Sequence, residues 1–337
     1  MKVLFQIRPD YLKNPAGDTI QLLYTGYELK KLGLEIQISS NPNILLTPFD
    51  LIHIFNITRI KESYLFFLNA QKQQKTIIIS PIYWNPSHYL QHRQGSSRNL
   101  ASWNLNQTMR ARLIRECNYL LPNGENEIIA IQQDFPHSAA YKVIPNGFPD
   151  SFVNANPALI HEKFPNLPDH FILCVARISQ RKNQHWLAKA CADLALPLIL
   201  VGPINDKKYY SMLNSFTNVT YLGVLQGELL ASAYAAAQAH ALPSWFETPG
   251  LSSLEAGACG TIVLSTDQGC TQEYFKDLAI YANPFQPDSL RLGLEKSFSW
   301  SAKPLTEHIH NNYPWSKVAQ LTYNVYQECH TRPSPTL

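Results

Sequence analysis

The stretch Ser244-Trp245-Phe246-Glu247-Thr248-Pro249-Gly250-Leu251-Ser252-Ser253-Leu254-Glu255-Ala256-Gly257-Ala258-Cys259-Gly260 decides how this chain is read. An apolar run, Ala239 to Leu242, precedes it and another, Thr261 to Leu264, follows, which makes it strand, loop, helix, strand inside an α/β domain. Pro249 and Gly250 mark the helix entry, with Ser252 and Ser253 placed to cap nearby amides. The two carboxylates differ in setting: Glu247 lies on the loop, and Glu255 projects from the helix itself. A helix start of this kind offers unpaired N–H groups and a partial positive charge to an anion.

Outward from this stretch the same pattern recurs. Phe171 to Ala176 reads as a buried strand, followed by Arg177-Ile178-Ser179-Gln180-Arg181-Lys182-Asn183 and an amphipathic helix from about Gln184. Of these basic residues, Arg181 is expected to be exposed. Leu196 to Gly202 and Val219 to Val224 read as further strands, Gln226 to Gln238 as an Ala-rich helix and Leu278 to Asn283 as a last strand. Glu273 falls in the first turn of a helix, where an acid is favourable. Trp315 to Cys329 reads as an amphipathic helix, and the Pro-containing tail after Arg332 as frayed. Upstream, Pro149, Pro157, Pro165 and Pro168 with polar residues between them mark a linker over 149–168.

The first half opens with an apolar run, Met1 to Arg8, a strand rather than a secretion signal. A loop with Pro15-Ala16-Gly17-Asp18 leads into a helix over Thr19 to Lys31. Gly33 to Ser40, Asp50 to Asn56 and the isoleucine run Thr76 to Ser80 read as strands, the last covered on both faces. Pro81-Ile82-Tyr83-Trp84-Asn85-Pro86 follows at a carboxyl end, where open α/β sheets place ligands. Asn118 to Leu121 and Tyr141 to Phe148 complete the strands of this half, the latter containing Ile144-Pro145-Asn146-Gly147. Ahead of Asn118, from Arg93 to Arg115, the chain carries Arg93, Arg98, Arg110, Arg112 and Arg115 with no acidic residue among them. Two readings fit that run: a solvated basic face, or attraction to anionic headgroups at about 1 kcal/mol per basic residue.

With 337 residues the chain exceeds one ordinary core and predicts two domains. Hydrophobic residues make up 45% and charged residues 16%, which excludes a disordered chain. A net charge of +3 is too mild to indicate nucleic acid as a partner. Six cysteines, scattered without CxxC pairs, fit reduced buried thiols and a cytoplasmic protein. No run approaches the roughly 20 apolar residues of a membrane span, so membrane contact would be peripheral, on the inner face.

Several segments in order resemble the retaining glycosyltransferases of family 4. They have the GT-B fold, an α/β architecture of two facing Rossmann-like domains with parallel sheets and an interdomain cleft. Their signature pairs two glutamates eight positions apart, as Glu247 and Glu255 are; Ile144 to Gly147 repeats their Val/Ile-Pro-Asn-Gly, and Arg177 and Lys182 hold their paired basic positions. The resemblance implies an acceptor domain over 1–148 completed by a C-terminal helix at about 316–330, a linker at 149–168 and a nucleotide-sugar donor domain over 169–315. It implies that Arg177 and Lys182 grip the donor diphosphate, that Glu247 binds sugar hydroxyls beside the anomeric carbon, and that Glu255 accepts from the ribose hydroxyls. Gly250, Leu251 and Ser252 would hold phosphate or sugar oxygens through their amides, and Gly223 and Val224 would contact the base. In the first domain, Gly17 and Asp18 stand where the family has a Gly-Gly pair. Many relatives carry a histidine on the loop occupied here by Tyr83; the nearest in this sequence are His53 and His88.

The activity so implied is retaining hexosyl transfer from a nucleoside-diphosphate sugar, UDP- or GDP-linked, to a glycan or lipid-linked glycan in cell-envelope polysaccharide synthesis. No Asp-x-Asp triplet occurs, and neither a metal nor another cofactor is expected. Two other readings stay open: a non-catalytic nucleotide-sugar-binding partner of another transferase, and a sugar-nucleotide epimerase of the same fold. A NAD-dependent enzyme is disfavoured because no GxGxxG follows a strand.

Overall fold

The computed structural model describes residues 1–92 and 97–331. Arg93 and the tail after Arg332 lie outside the described residues. The chain divides into two compact units: residues 1–146 with the C-terminal helix Trp315–Thr331, and residues 147–314.

The first unit runs β1 (Lys2–Gln6), α1 (Gly17–Lys31), β2 (Glu35–Ser39), β3 (Leu51–Phe55), α2 (Ile60–Lys72), β4 (Thr76–Ser80), α3 (Ser87–His92), α4 (Ser97–Leu105), α5 (Gln107–Glu116), β5 (Tyr119–Leu120) and α6 (Glu125–Asp134). Its sheet is parallel, in the order β2-β1-β3-β4-β5. Alternate residues of one strand serve opposite faces. Thus Ile52 and Ile54 join Ile77 and Ile79 in one core with Phe66 and Phe67 of α2, while His53 faces the other way. There its two ring nitrogens meet the Tyr326 hydroxyl on the C-terminal helix, at 2.5 Å, and Ser80 Oγ, at 2.9 Å. Burial pulls the His53 pKa down to about 3, so this histidine is a neutral core residue. Among the described residues, the stretch expected as a strand over Tyr141 to Phe148 makes only isolated bridges, Tyr141 to Leu120 and Phe148 to Pro314. Pro145, which has no N–H to donate, lies within it.

The second unit runs α7 (Ala158–Lys163), β6 (Ile172–Val175), α8 (Gln184–Asp193), β7 (Leu198–Val201), α9 (Lys207–Leu213), β8 (Val219–Tyr221), α10 (Gly227–Ala236), β9 (Ala239–Leu242), α11 (Leu251–Ala258), β10 (Ile262–Thr266), α12 (Thr271–Phe275), β11 (Ile280–Ala282), α13 (Pro287–Ser297) and α14 (Lys303–Asn312). The helix Trp315–Thr331 is α15 and packs on α1 in the first unit, where Trp315 stacks on Tyr24. The parallel sheet has the order β11-β10-β9-β6-β7-β8. Leu173, Ile199 and Val263 pack with residues of α10, α11 and α14, whereas Cys174, Leu198 and Leu200 pack with residues of α8, α9 and α13. Both faces are therefore covered by helices, the burden of a doubly wound parallel sheet. Residues 149–168, expected as a linker, instead fold within this unit: Phe152, Ile160 and Leu167 belong to its core, and Ile160 N–H donates to Ser232 Oγ at 2.9 Å. Apolar residues at these positions outweigh the proline spacing.

Gly202, directly after β7, has φ +132°, and a Cβ there would stand 2.2 Å from the carbonyl oxygen of Ala176, the residue before Arg177. Gly202→Ala should therefore lower stability by about 2 kcal/mol or more, through backbone strain and a main-chain clash, as read by chemical denaturation.

Candidate functional site

In the second sheet the order reverses between β6 and β9, because β7 and β8 lie on one side and β10 and β11 on the other. Open α/β sheets bind ligands outside the carboxyl ends of the strands at that reversal. The two strands pair only at Ile172 with Ala239 and at Leu173 with His240. Beyond this point the His240 ring meets the Val175 N–H, at 3.4 Å. Arg177 and Lys182 follow β6, and Glu247 follows β9, so the topology alone assembles residues 65 and more positions apart.

Lys182 Nζ donates to Glu247 Oε1; the Glu247 side chain is buried and that of Lys182 nearly so. Burial lowers the Lys182 pKa, with Arg181 and Arg177 adding to the fall and Glu247 opposing it. For Glu247 burial acts upward, but Lys182 and Arg181 outweigh it and hold the carboxylate below its ordinary value. The result is an ionised acid within a group of three basic residues.

Main-chain contacts fix the acid in place. Glu247 N–H donates to Gln268 O at 3.3 Å, and its carbonyl accepts from Cys270 N–H at 3.0 Å. Gly269 lies between them with φ +96°; a Cβ there would come within 2.0 Å of the Glu247 carbonyl oxygen. Arg181, expected to be exposed, is half-buried: its carbonyl accepts from Trp245 N–H at 3.0 Å and its Nη1 donates to Phe246 O at 2.9 Å. The turn after β6 is thus latched to the loop after β9. Neither Gly269 nor Arg181 stands out in the sequence, since a turn glycine and a surface arginine have the same appearance there.

Gly250, in the left-handed conformation at φ +86°, caps α11. Its carbonyl accepts from Ser253 N–H, at 2.9 Å, and Leu254 N–H, at 3.1 Å. Leu251 and Ser252 open α11, so their amides are among those that have no partner within the helix. Ser252 and Ser253, expected as caps, lie inside the helix, and the Ser253 hydroxyl is buried with no partner among the described residues. Glu255, one turn further on, accepts from the Tyr234 hydroxyl at 2.9 Å, and burial raises its pKa to about 7. Gly223 (φ +80°) follows β8 and its carbonyl accepts from Gly202 N–H at 2.8 Å; Val224 beside it is 54% exposed.

The remaining sequence candidates lie in the first unit. Gly17 is exposed at the start of α1. Asp18, in the first turn of α1, is buried in a bidentate pair with Arg8, at 2.8 and 3.0 Å, and also accepts from Asn56 at 2.9 Å. Tyr83, expected on a ligand-facing loop, is fully buried, packs on Trp103 and Phe135 and donates its hydroxyl to Asp134. Its N–H donates to Glu127 at 2.7 Å. His88 is exposed on α3, against His92. The expected basic face is largely spent: Arg110 is 2% exposed with its guanidinium 3.6 Å from the Trp103 ring centroid, and Arg112 and Arg115 both bond Glu116. Arg98 remains exposed. Among the described residues no helix is long and apolar enough to cross a membrane.

Residues 157–311, nearly all of the second unit, match the family model described as glycosyl transferases group 1. An uncharacterized glycosyltransferase of Methanocaldococcus jannaschii is 29% identical over 178 residues, 47% of this chain and 45% of that protein. The match thus spans about half the length of the curated relative. Among solved structures, sucrose-phosphate synthase of Thermosynechococcus elongatus has a TM-score of 0.83 at 17% identity, covering 97% of this chain and 98% of that one. The Anabaena protein HepE in complex with UDP and glucose has a TM-score of 0.76 at 17% identity, covering 97% and 100%. With its two parallel-sheet α/β units, the chain has the GT-B fold.

Two outcomes follow from the charges. Lys182→Ala strands the buried Glu247 carboxylate and should cost about 3 kcal/mol or more in denaturation at neutral pH; the double change with Glu247→Ala should cost less than the two single losses added. Because folding raises the Glu255 pKa, the native state holds its proton more tightly, and stability falls as pH rises through the ordinary carboxyl range to about 7. Glu255→Gln should accordingly melt above wild type at pH 8, with the gap closing near pH 4.

Proposed function

We propose, proceeding from a second unit that matches the group 1 glycosyl transferases, that the protein is a metal-independent retaining hexosyltransferase using a nucleoside-diphosphate sugar. The observation that carries this reading is the buried Lys182–Glu247 pair, with Arg177 and Arg181 around it, at the point where the strand order reverses. Transfer breaks the bond between the anomeric carbon and the diphosphate, forms one to an acceptor hydroxyl, and leaves negative charge on the departing phosphate. Lys182 and Arg177 receive that charge, with the helix-end amides of Leu251 and Ser252. Donor binding trades one partner for two: Lys182 turns to phosphate, and Glu247 is released to accept from sugar hydroxyls. Glu255, on the same helix, receives the hydroxyls of the ribose. UDP is the nucleotide to try first, because HepE of the same fold was crystallised with it. The acceptor class is the hydroxyl of a glycan or a lipid-linked glycan.

The test is thermal-shift titration with UDP and GDP, followed by transfer from the matching sugar nucleotide to glycan acceptors. A nucleotide bound by the folded state alone raises the melting temperature. Lys182→Gln should abolish most of that rise and reduce transfer about 100-fold or more. Glu247→Gln should spare nucleotide binding and reduce transfer. Turnover unaffected in both variants would remove the basis of the proposal; nucleotide binding without turnover would favour the silent-partner reading.

A further inference from the structure

Glu255 is steered by a residue that the sequence reading passes over as part of an Ala-rich helix. Tyr234 on α10 is fully buried. Its ring lies edge-on to His240, with centroids 5.5 Å apart, and near Phe152. Its carbonyl accepts from Thr261 Oγ1 at 2.6 Å, so the main chain on which it sits is tied to the segment entering β10. From this fixed base its hydroxyl donates to Glu255 Oε2 at 2.9 Å. Glu255 itself is only partly buried, and its Oε1 accepts nothing from the described residues.

We propose that Tyr234 is a positioning residue: its hydroxyl pins one oxygen of Glu255 and presents the other to the ribose hydroxyls of a bound nucleotide. This rests on the nucleotide-sugar reading above and adds to it how the ribose-binding acid is held. A carboxylate on a free helical side chain samples several rotamers, and ordering it on binding costs affinity; a carboxylate already pinned avoids that cost. The hydroxyl also favours the ionised acceptor form, against the burial that pushes Glu255 up to about 7. Tyr234 is itself held in its protonated, donating form, well above the ordinary tyrosine value, by burial and by the neighbouring Glu255 charge.

Titratable groups stand on the elements packed around the pair: α7, against α10, carries His161, Glu162 and Lys163, and Asp150 lies in the turn before it. Cys259 lies one turn on along α11, its thiol pushed up by burial and by Glu255. His240 of β9 stays neutral, its pKa pulled down by burial to about 3, and Cys174 of β6 stays protonated by burial. On α14, His308 and His310 direct Nε2 to the carbonyls of Tyr274 and Ala258, while Lys303 and Glu307 face each other at 4.0 Å. The strand β10 contributes no titratable side chain.

The test compares wild type and Tyr234→Phe by two measurements. First, the Glu255 carboxyl carbon is followed by NMR against pH, its resonance assigned with Glu255→Gln. Loss of one hydrogen bond to a charged group should raise the midpoint by about one pH unit. Second, binding of UDP is measured against 2′,3′-dideoxy-UDP across pH 6 to 9. The ratio of the two cancels the titration of Lys182 and of the phosphates. Tyr234→Phe should reduce the preference for UDP several-fold at pH 7 and recover it only in part at higher pH, because ionisation restores the acceptor but not the pinned rotamer; in Glu255→Gln the preference should be low and independent of pH. An unchanged Glu255 midpoint overturns the inference, as does an equal loss of both nucleotides at every pH. Should wild type bind neither UDP nor GDP, the nucleotide reading fails and takes the ribose half with it, while the midpoint still decides whether Tyr234 governs Glu255. Should Tyr234→Phe fail to fold, the Tyr234 Cζ resonance is followed instead: a shift in step with the Glu255 midpoint that is absent in Glu255→Gln supports the inference, and a resonance flat across that midpoint overturns it.

Discussion

The second unit is organised around an ion pair that solvent scarcely reaches. An ammonium and a carboxylate taken out of water each lose several kcal/mol of hydration, and their attraction offsets this only when geometry and further hydrogen bonds are right. Here the supporting parts are visible: Gly269 admits the Glu247 main chain, Cys270 and Gln268 hold it on both sides, and Arg181 ties the neighbouring loop to the turn that carries Lys182. A sheet whose strand order reverses at β6 and β9 supplies the place, since strands leaving in opposite directions open a gap that helices do not fill.

The first unit has a reversal of its own, between β1 and β3, and it also holds an arginine and an acid. There the outcome differs. Arg8 directs its donors to Asp18, Asp10, Thr19 and the Asn14 carbonyl, and Arg59 joins the group through Asp10. Burial would weaken the Arg8 charge, but the two aspartates outweigh it and its pKa rises. A guanidinium so engaged stiffens a loop. Lys182, by contrast, has one strong partner and a pKa pulled down, the condition of a charge that can be redirected.

Arg110 illustrates how far a run of charges can mislead. In sequence it belongs to a basic stripe; in the fold its guanidinium lies on the Trp103 ring and donates to the carbonyls of Ile57, Thr58 and Trp103. Burial lowers its pKa to about 10, which still leaves it charged at neutral pH. It joins α4 and α5 to the loop after β3, and so serves the scaffold beneath a loop rather than a surface.

Alternation and turn residues were enough to read the parallel sheets and the strand, loop and helix around Glu247 and Glu255 from the sequence, because periodicity and breakers act locally. The resemblance to family 4 glycosyltransferases marked Arg177, Lys182 and the two glutamates as candidates. What local pattern does not encode is which polar group meets which. Tyr234 and Glu255 are 21 positions apart, Lys182 and Glu247 65, and Arg8 meets Asp18 at the start of α1. Proline spacing suggested a linker where Phe152 and Ile160 instead enter the core, and a loop tyrosine, Tyr83, turned out to be packed against Trp103 and Phe135. Burial, and with it every shifted charge, is a property of neighbours brought together from distant parts of the chain, so it exists only once the sheets and their helices have closed over one another.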